Sequence, residues 1–546
     1  MLQLFEECEE FYFTYKERSV SNMFHRKLLP VKIAAALCSA VALLPAAVQA
    51  KQLTVLYIPL DNRPVCAAYV QQTMEAAGCK IILPPEKYIA ANDRSGDPDG
   101  IWSWLQTKAP KADAAVISTD SLLYGGLVAS RTHSISKEQL DQRLQHLYAL
   151  KNMLPIKLYA FSTIMRTPRA SQGNVEPPYY SAVGPSIFAY SQLWDKSEQN
   201  KLTPAEQLQK QALERNLRRD ELGDWLERRR KNLQINTELT HMARNGKFHY
   251  LAIGKDDNAP LSATHLEARQ LSLSTFDMKP EDFQIIDGVD QLGLLLLVRA
   301  YNEAHAVQPT IYPLYSPGAG PATLPQYSDA RLQDSVPQQI IAAGAQQALT
   351  PQAADLILAL NTPQDGIVKD STAGDNQFFS SPANRNFAAA IASQLDAGKQ
   401  VSLADVSYSN GADNGFMSLL AQSDTLERLA AYNGWNTADN AVGYAIAQGL
   451  MAQAMPQQKR NLLLRQRIID DWFYQSNARS YISNELSRHS REDLKYDLGT
   501  AEQPMLNYIN QECGALAQKY NVTKGSQFKL TFPWRRLFEV NVEMKK

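Results

Sequence analysis

Leu53-Thr-Val-Leu-Tyr-Ile58 runs directly into Pro59-Leu-Asp-Asn-Arg-Pro64, and that junction decides the fold class. The first half is apolar and β-rich, which predicts a strand. In the second half two prolines bracket three polar side chains, so the strand ends in a fixed turn. A helical segment follows from Ala67 to Ala77 and is closed by Gly78. The same order recurs downstream. Cys79–Leu83, Ala114–Ser118, Ile156–Phe161, Phe248–Ile253 and Phe283–Ile286 are strand-sized apolar runs, each followed by polar residues. Thr310–Leu314 is another, weakened by its internal Pro313. Strands alternating with helices predict α/β architecture with a mostly parallel sheet. Seven strand ends precede residue 320, which favours a barrel-like first unit over residues 51–320. A doubly wound parallel β/α unit is the alternative.

Between Arg169 and Lys247 the rhythm breaks, giving a helical insertion at about residues 170–247. Residues 203–244 read as one or two long charged helices, with Asp224 near Arg228 and Glu227 near Arg230 on neighbouring turns. Arg228-Arg-Arg230 is expected on a solvated helix face. The insertion is either a lid or a scaffold arm. A second α/β unit spans residues 321–440, with strands at Ala354–Leu360, ending in Asn361, and Val401–Leu403, ending in Ala404-Asp405. Residues 441–546 form a mainly helical C-terminal region, with a last strand within Phe528–Phe538.

Composition bounds the rest. Hydrophobic residues make up 45% and charged residues 20% of the 546-residue chain, enough to build a large core without staples. The net charge is −1 and no basic arm stands out, which argues against a nucleic-acid partner. Near the N-terminus, Met23-Phe-His-Arg-Lys precedes an uncharged apolar run from Ile33 to Val48, then Val48-Gln-Ala50. Charge, short apolar run and small-residue exit make residues 23–50 a signal peptide. The run is too short for a membrane span, and no later stretch is longer; Leu292–Val298 is the richest. A periplasmic or secreted protein without a stable span after cleavage is therefore expected. Residues 1–22 are acidic, fit neither signal nor fold, and read as a misassigned leader before a true start at Met23. Of five cysteines, Cys66, Cys79 and Cys513 lie beyond the signal. Three do not make a disulfide framework; Cys66 and Cys79 either pair or stay as thiols. No Cys/His spacing suggests zinc, and no motif calls for a cofactor.

Polar residues collect at the strand ends. In a parallel sheet or barrel these ends share one face, and ligand sites form there. The set comprises Asp61, Asn62, Arg63, Asp120, Arg166, Lys255, Asp256, Asp257, Asn258, Asp287, Asp290, Asn361 and Asp405. Carboxylates and amides pair with sugar hydroxyls, and nearby aromatics such as Tyr57, Tyr124, Tyr408 and Trp435 can stack on ring faces. Glycosidic cleavage needs one protonated and one ionised carboxyl group. Asp256-Asp257 is the sharpest candidate, because crowding would raise one pKa. The competing reading is that this pair caps the helix after Pro260 or faces water.

Three further motifs matter. Arg63 in the Asp61-Asn-Arg-Pro64 turn could fork onto a substrate carboxylate or lock onto an internal one. Thr119-Asp-Ser-Leu-Leu-Tyr124-Gly-Gly126, with Arg131 after it, lacks the phosphate-loop spacing. Ser121 there lacks a nucleophile elbow, and His133 and His265 are its nearest potential bases. Asp405-Val-Ser-Tyr-Ser-Asn410-Gly-Ala-Asp413 and Gly434-Trp435-Asn436-Thr437 are dense in amides and turn formers, and would form a binding wall or merely caps. Neither has calcium-loop spacing.

Several phrases carry a resemblance: Tyr57-Ile-Pro-Leu-Asp-Asn-Arg-Pro64, the run from Asp120 to Arg131, Asp256-Asp-Asn-Ala-Pro260, Gly434-Trp-Asn-Thr437 and Pro533-Trp-Arg-Arg536. Together they resemble a bacterial domain-of-unknown-function family, domain of unknown function 4127. The resemblance covers nearly all of the chain after Ala50. It implies a bacterial, often exported protein and supplies no reaction.

The residues themselves lead to an exported carbohydrate-active hydrolase. Asp256 and Asp257 would act on the glycosidic bond of a small-molecule or oligosaccharide substrate. Asp61, Asn62, Arg63, Asp120, Tyr124, Arg131, Arg166, Asp287, Asp290, Asn361, Asp405, Asn410, Asp413, Trp435 and Asn436 would hold it. The alternatives are a non-catalytic periplasmic binding protein for sugars or cell-wall fragments, and a serine-type acyl or amide hydrolase using Ser121.

Overall fold

Parallel strands buried on both faces read as continuous apolar runs, and these runs become the strands of two sheets. In the computed structural model, which describes residues 52–153, 156–170 and 175–545, the described chain from Gln52 onward forms a single unit. The expected leader (1–22) and signal peptide (23–50) lie outside the described residues.

The first sheet contains β1 (Thr54–Ile58), β2 (Lys80–Ile82), β3 (Ala114–Ser118), β4 (Lys157–Ile164), β5 (Tyr250–Lys255) and β6 (Phe283–Asp287). Their order is β2-β1-β3-β4-β5-β6, all parallel. β2 and β6 remain as edges, so the sheet is open and doubly wound, not a barrel. Alternation along β1 serves two cores: Val55 and Tyr57 face one, Leu56 and Ile58 the other.

The second sheet draws on β7 (Thr310–Tyr315), β8 (Gln346–Gln347), β9 (Leu356–Asn361), β11 (Gln400–Asp405) and β13 (Ala431–Asn433), in the order β13-β11-β9-β7-β8 and again parallel. A small parallel ladder of β10 (Lys369–Asp370) with β12 (Tyr408–Ser409) lies apart. Counting β7 with the first unit is therefore corrected, because β7 pairs with β9. Pro313 is tolerated there because β8 pairs only with Thr310 and Ile311, so no strand needs the missing N–H. The crossover between sheets is the helix Leu292–Ala304. It is apolar on nearly every side, and it shares a core with the buried helix Ala438–Met451.

The insertion contains helices Tyr180–Glu198, Pro204–Asn216 and Arg219–Arg244. Asp224–Arg228 and Glu227–Arg230 form ion pairs. The solvated face expected for Arg228-Arg-Arg230 holds only for Arg230. Arg228 and Arg229 are buried because this helix packs on the first sheet. In the C-terminal region Gln457–Arg467 continues through a π-helical stretch, Ile468–Ala478, into Arg479–Arg488, followed by Glu502–Lys519. β14 (Gln527–Thr531) and β15 (Asn541–Lys545) pair antiparallel. Among the described residues, no helix is long and apolar enough to cross a membrane. Cys66, Cys79 and Cys513 are buried free thiols.

Candidate functional site

The C-terminal ends of β1, β4, β5 and β6 open into a cleft of about 850 Å3, closed on the far side by residues of the second sheet and the C-terminal tail. Asp61 and Arg63 enter from the turn after β1, Arg131 from the helix Leu127–Thr132, and Arg166 from the end of β4. Asp256 and Asp257 leave β5, and Asp290 follows β6. Asn410 and Asn436 approach from the second sheet. These two asparagines adopt left-handed backbone, at φ 59° and 63°, which Asn tolerates better than most residues. At the base, β5 passes the loop after β6 so closely that a Cβ on Gly254 would lie 2.5 Å from the Gly288 carbonyl oxygen.

The cleft acids fall into two kinds. Arg63 takes both oxygens of Asp61 through its Nε (2.9 and 3.0 Å), and it reaches both oxygens of Asp290. That triad is a lock: every carboxylate oxygen in it already accepts. Asp256 and Asp257 differ. Arg131 donates through Nε and Nη2 to Oδ2 of Asp256, and Arg166 donates through Nη1 to Oδ2 of Asp257 at 2.7 Å. Among the described residues, neither Oδ1 receives a hydrogen bond. Burial drives the Asp256 carboxyl up to about 6 against the pull of Arg131. Asp257 stands nearer the mouth, its side chain 23% exposed. Its backbone sits at φ 28°, a strained value for a residue with a Cβ. Strain of this kind gathers at functional sites.

Residues outside the expected site set complete the arrangement. Glu176, buried in the insertion, accepts from Arg166 Nε at 2.6 Å. Arg229 pairs with Glu267 and donates to the carbonyls of Met165 and Arg166, clamping the turn that presents Arg166. Phe188, Tyr327, Trp534 and Phe538 supply aromatic wall, and Arg479 and Lys495 add positive charge. The Arg228-Arg-Arg230 run and the Pro533-Trp-Arg-Arg536 phrase were the visible signals for two of these. Nothing local marks Glu176 or Arg479.

The other expected site residues lie elsewhere. Asn62 stands behind the wall and accepts from Trp534 Nε1 at 2.7 Å, so it holds the tryptophan. Asp120 is fully buried, accepts from Thr163 and is pushed up to about 7 by burial; it braces the sheet behind the cleft and is not among the residues that line it. Tyr124 is buried against His133, their ring centroids 4.8 Å apart. Asp287 is buried beside Lys255 Nζ at 3.0 Å. Trp435 packs under Phe538. Asn361, Asp405 and Asp413 gather at the ends of β9 and β11, where a separate, smaller pocket opens. The expectation of one shared hollow is thus corrected, since each sheet ends in its own cavity. The serine-hydrolase alternative fails on geometry. Ser121 Oγ donates to the carbonyls of Pro59 and Leu60, while His133 and His265 are held by Asn232 and Asp195.

Two open parallel sheets joined through buried helices, with an arginine-braced carboxylate pair in the cleft, define an α/β protein whose largest described carboxylate cluster lies at strand C-terminal ends. The sequence matches the family described as "Protein of unknown function (DUF4127)" over residues 55–543, and the chain belongs to that family. No curated protein and no solved structure matches it. Among the described residues, no group of three or more His, Cys, Asp or Glu is placed to hold a metal ion.

Proposed function

We propose that the chain is an exported carbohydrate-active hydrolase that cleaves a glycosidic bond in the larger cleft. The supporting observation is the contrast within Asp256-Asp257. The two are adjacent in one cleft, each held through a single oxygen, and they sit in unlike environments. Asp256, buried and raised to about 6, is the proton donor to the leaving oxygen. Asp257, at the mouth and paired with Arg166, is the second carboxyl group of the pair. The aromatic wall supplies ring faces for sugar stacking, and the amides of Asn410 and Asn436 read hydroxyls. Export rests on the charge, apolar run and small-residue exit within residues 23–50.

The test is hydrolysis of a panel of aryl glycosides, N-acetylhexosaminides included, by wild type, Asp256→Asn and Asp257→Asn. Loss of a general acid is expected to lower kcat by about 10²–10⁴-fold. Full activity in both variants would remove the reading. A second reading, a non-catalytic sugar or cell-wall-fragment binder, draws on one fact: every acid lining the cleft has an arginine partner. Protection from thermal unfolding by oligosaccharides, with no turnover of any sugar, would favour it.

A further inference from the structure

The loop from Asp405 to Asp413 borders two cavities. Asn410 lines the large cleft, whereas Ser407, Tyr408 and Asp413 line the second pocket, of about 290 Å3. That pocket sits where the strand order of the second sheet reverses. From β7 the chain steps to β8 on one side and then to β9 on the other. The loops leaving β7 and β9 are joined there, Ser316 Oγ to Thr362 and the Ala319 N–H to the Gln364 carbonyl, and the pocket opens beside them toward the loop after β11 at the C-terminal ends of the strands, where open parallel sheets take ligands. Its walls come from those loops: Ser316 and Pro317 follow β7, and Asn361 and Thr362 end β9.

Two nearly buried side chains present open polar atoms there. Asn361 is 2% exposed and donates through Nδ2 to Asp405 and Asp413. Its Oδ1 receives no hydrogen bond among the described residues. Ser407 is 8% exposed, and its Oγ likewise has no partner among them. Both atoms line the pocket and are free to accept, and in the hydroxyl's case also to donate, a hydrogen bond to a ligand or solvent there. The wall's chemistry narrows the choice. Lys369 is the one cation among the lining residues, and its ammonium is paired with Asp375. Asp365 and Asp413 face the same space, which disfavours anions. Carboxylate, amide and hydroxyl groups mixed in this way suit neutral hydroxyls, which give and take hydrogen bonds at once.

We propose that this pocket is a second binding site, distinct from the cleft, for a neutral polyhydroxy molecule about the size of one sugar residue. The volume stands at the low end of ligand pockets, about 300 Å3. The proposal does not rest on the hydrolase reading. It would hold equally for a binding protein.

Isothermal titration of the full chain with glucose, N-acetylglucosamine and inorganic phosphate tests it. Three variants accompany wild type. Ser407→Val fills the pocket without breaking a hydrogen bond. Ile367→Trp occludes its mouth from an exposed rim position. Leu273→Ala, at an exposed position lining neither cavity, is the control. The expected result is millimolar binding of at least one sugar and none of phosphate. Both pocket variants should weaken that binding at least tenfold, and Leu273→Ala should leave it unchanged. If Ser407→Val fails to fold, Ile367→Trp decides alone. Absence of binding by both sugars, or wild-type affinity in the folded pocket variants, would each overturn the proposal.

Discussion

Arg131 donates two hydrogen bonds to the same oxygen of Asp256, at 2.9 and 2.6 Å, and none to the other. The guanidinium thus fixes the carboxyl while leaving Oδ1 open toward the cleft. It also opposes the rise that burial imposes on the Asp256 pKa.

Removing that opposition has a defined sign. In Arg131→Met the carboxylate loses its nearest cation, so the Asp256 pKa should climb above its present value of about 6. A shift of about one to three units is the usual size for such a partner. The basic limb of the pH–rate profile on a responsive aryl glycoside should move up by the same amount. A carboxyl titration followed by infrared difference spectroscopy checks it without turnover. An unchanged or lowered pKa would sink the assignment.

Backbone strain at Asp257 separates stability from function. Glycine accepts φ 28° without a Cβ penalty, so Asp257→Gly should keep or raise the unfolding free energy, by up to about 1 kcal/mol. The same variant should lose activity or ligand affinity. A marked fall in urea stability would show that the aspartate is structural.

The Arg229–Glu267 pair is almost fully buried and holds the turn carrying Arg166. Arg229→Met leaves Glu267 without its cation and frees two carbonyls, a loss of about 3–5 kcal/mol in urea unfolding. Adding Glu267→Leu should recover part of that loss, because no unpaired charge then remains. A double variant no better than the single one would contradict the account.

Buried acids give the fold a pH dependence of known direction. Burial and the neighbouring Asp413 raise Asp405 from 3.8 to about 8. Its folded pKa lies above its unfolded one, so the folded state binds the extra proton. Stability from this group is full below about pH 4 and is lost as pH rises through about 8. The slope across that window is at most about 1.4 kcal/mol per pH unit for one group. Asp405→Asn should flatten the decline between pH 5 and 8 and stabilise the protein at pH 8. Unfolding midpoints at a series of pH values give the answer.

How the strands came to be readable, and the sites only half so, follows from the range of the forces involved. Strand period, proline brackets and helix caps act over a few residues. Thus Leu53–Ile58 with its Asp61-Asn-Arg-Pro64 turn, and Gly254 leading into Asp256-Asp257, could be read along the chain, as could the alternation of strands and helices. The mixed fortunes of the site residues have a longer-range cause. Arg131 and Asp256 are 125 positions apart, and Asn62 and Trp534 are 472 apart; only chain pairing brings each couple together. The order in which β7, β8 and β9 add to a sheet is likewise a matter of long-range pairing, with β7 beside β9 on one side and β8 on the other. Such tertiary pairing divided the acids between two cavities, left one oxygen each on Asp256 and Asp257 without a partner among the described residues, and buried Asp120, because contacts between distant segments are made only when the sheets and helices pack.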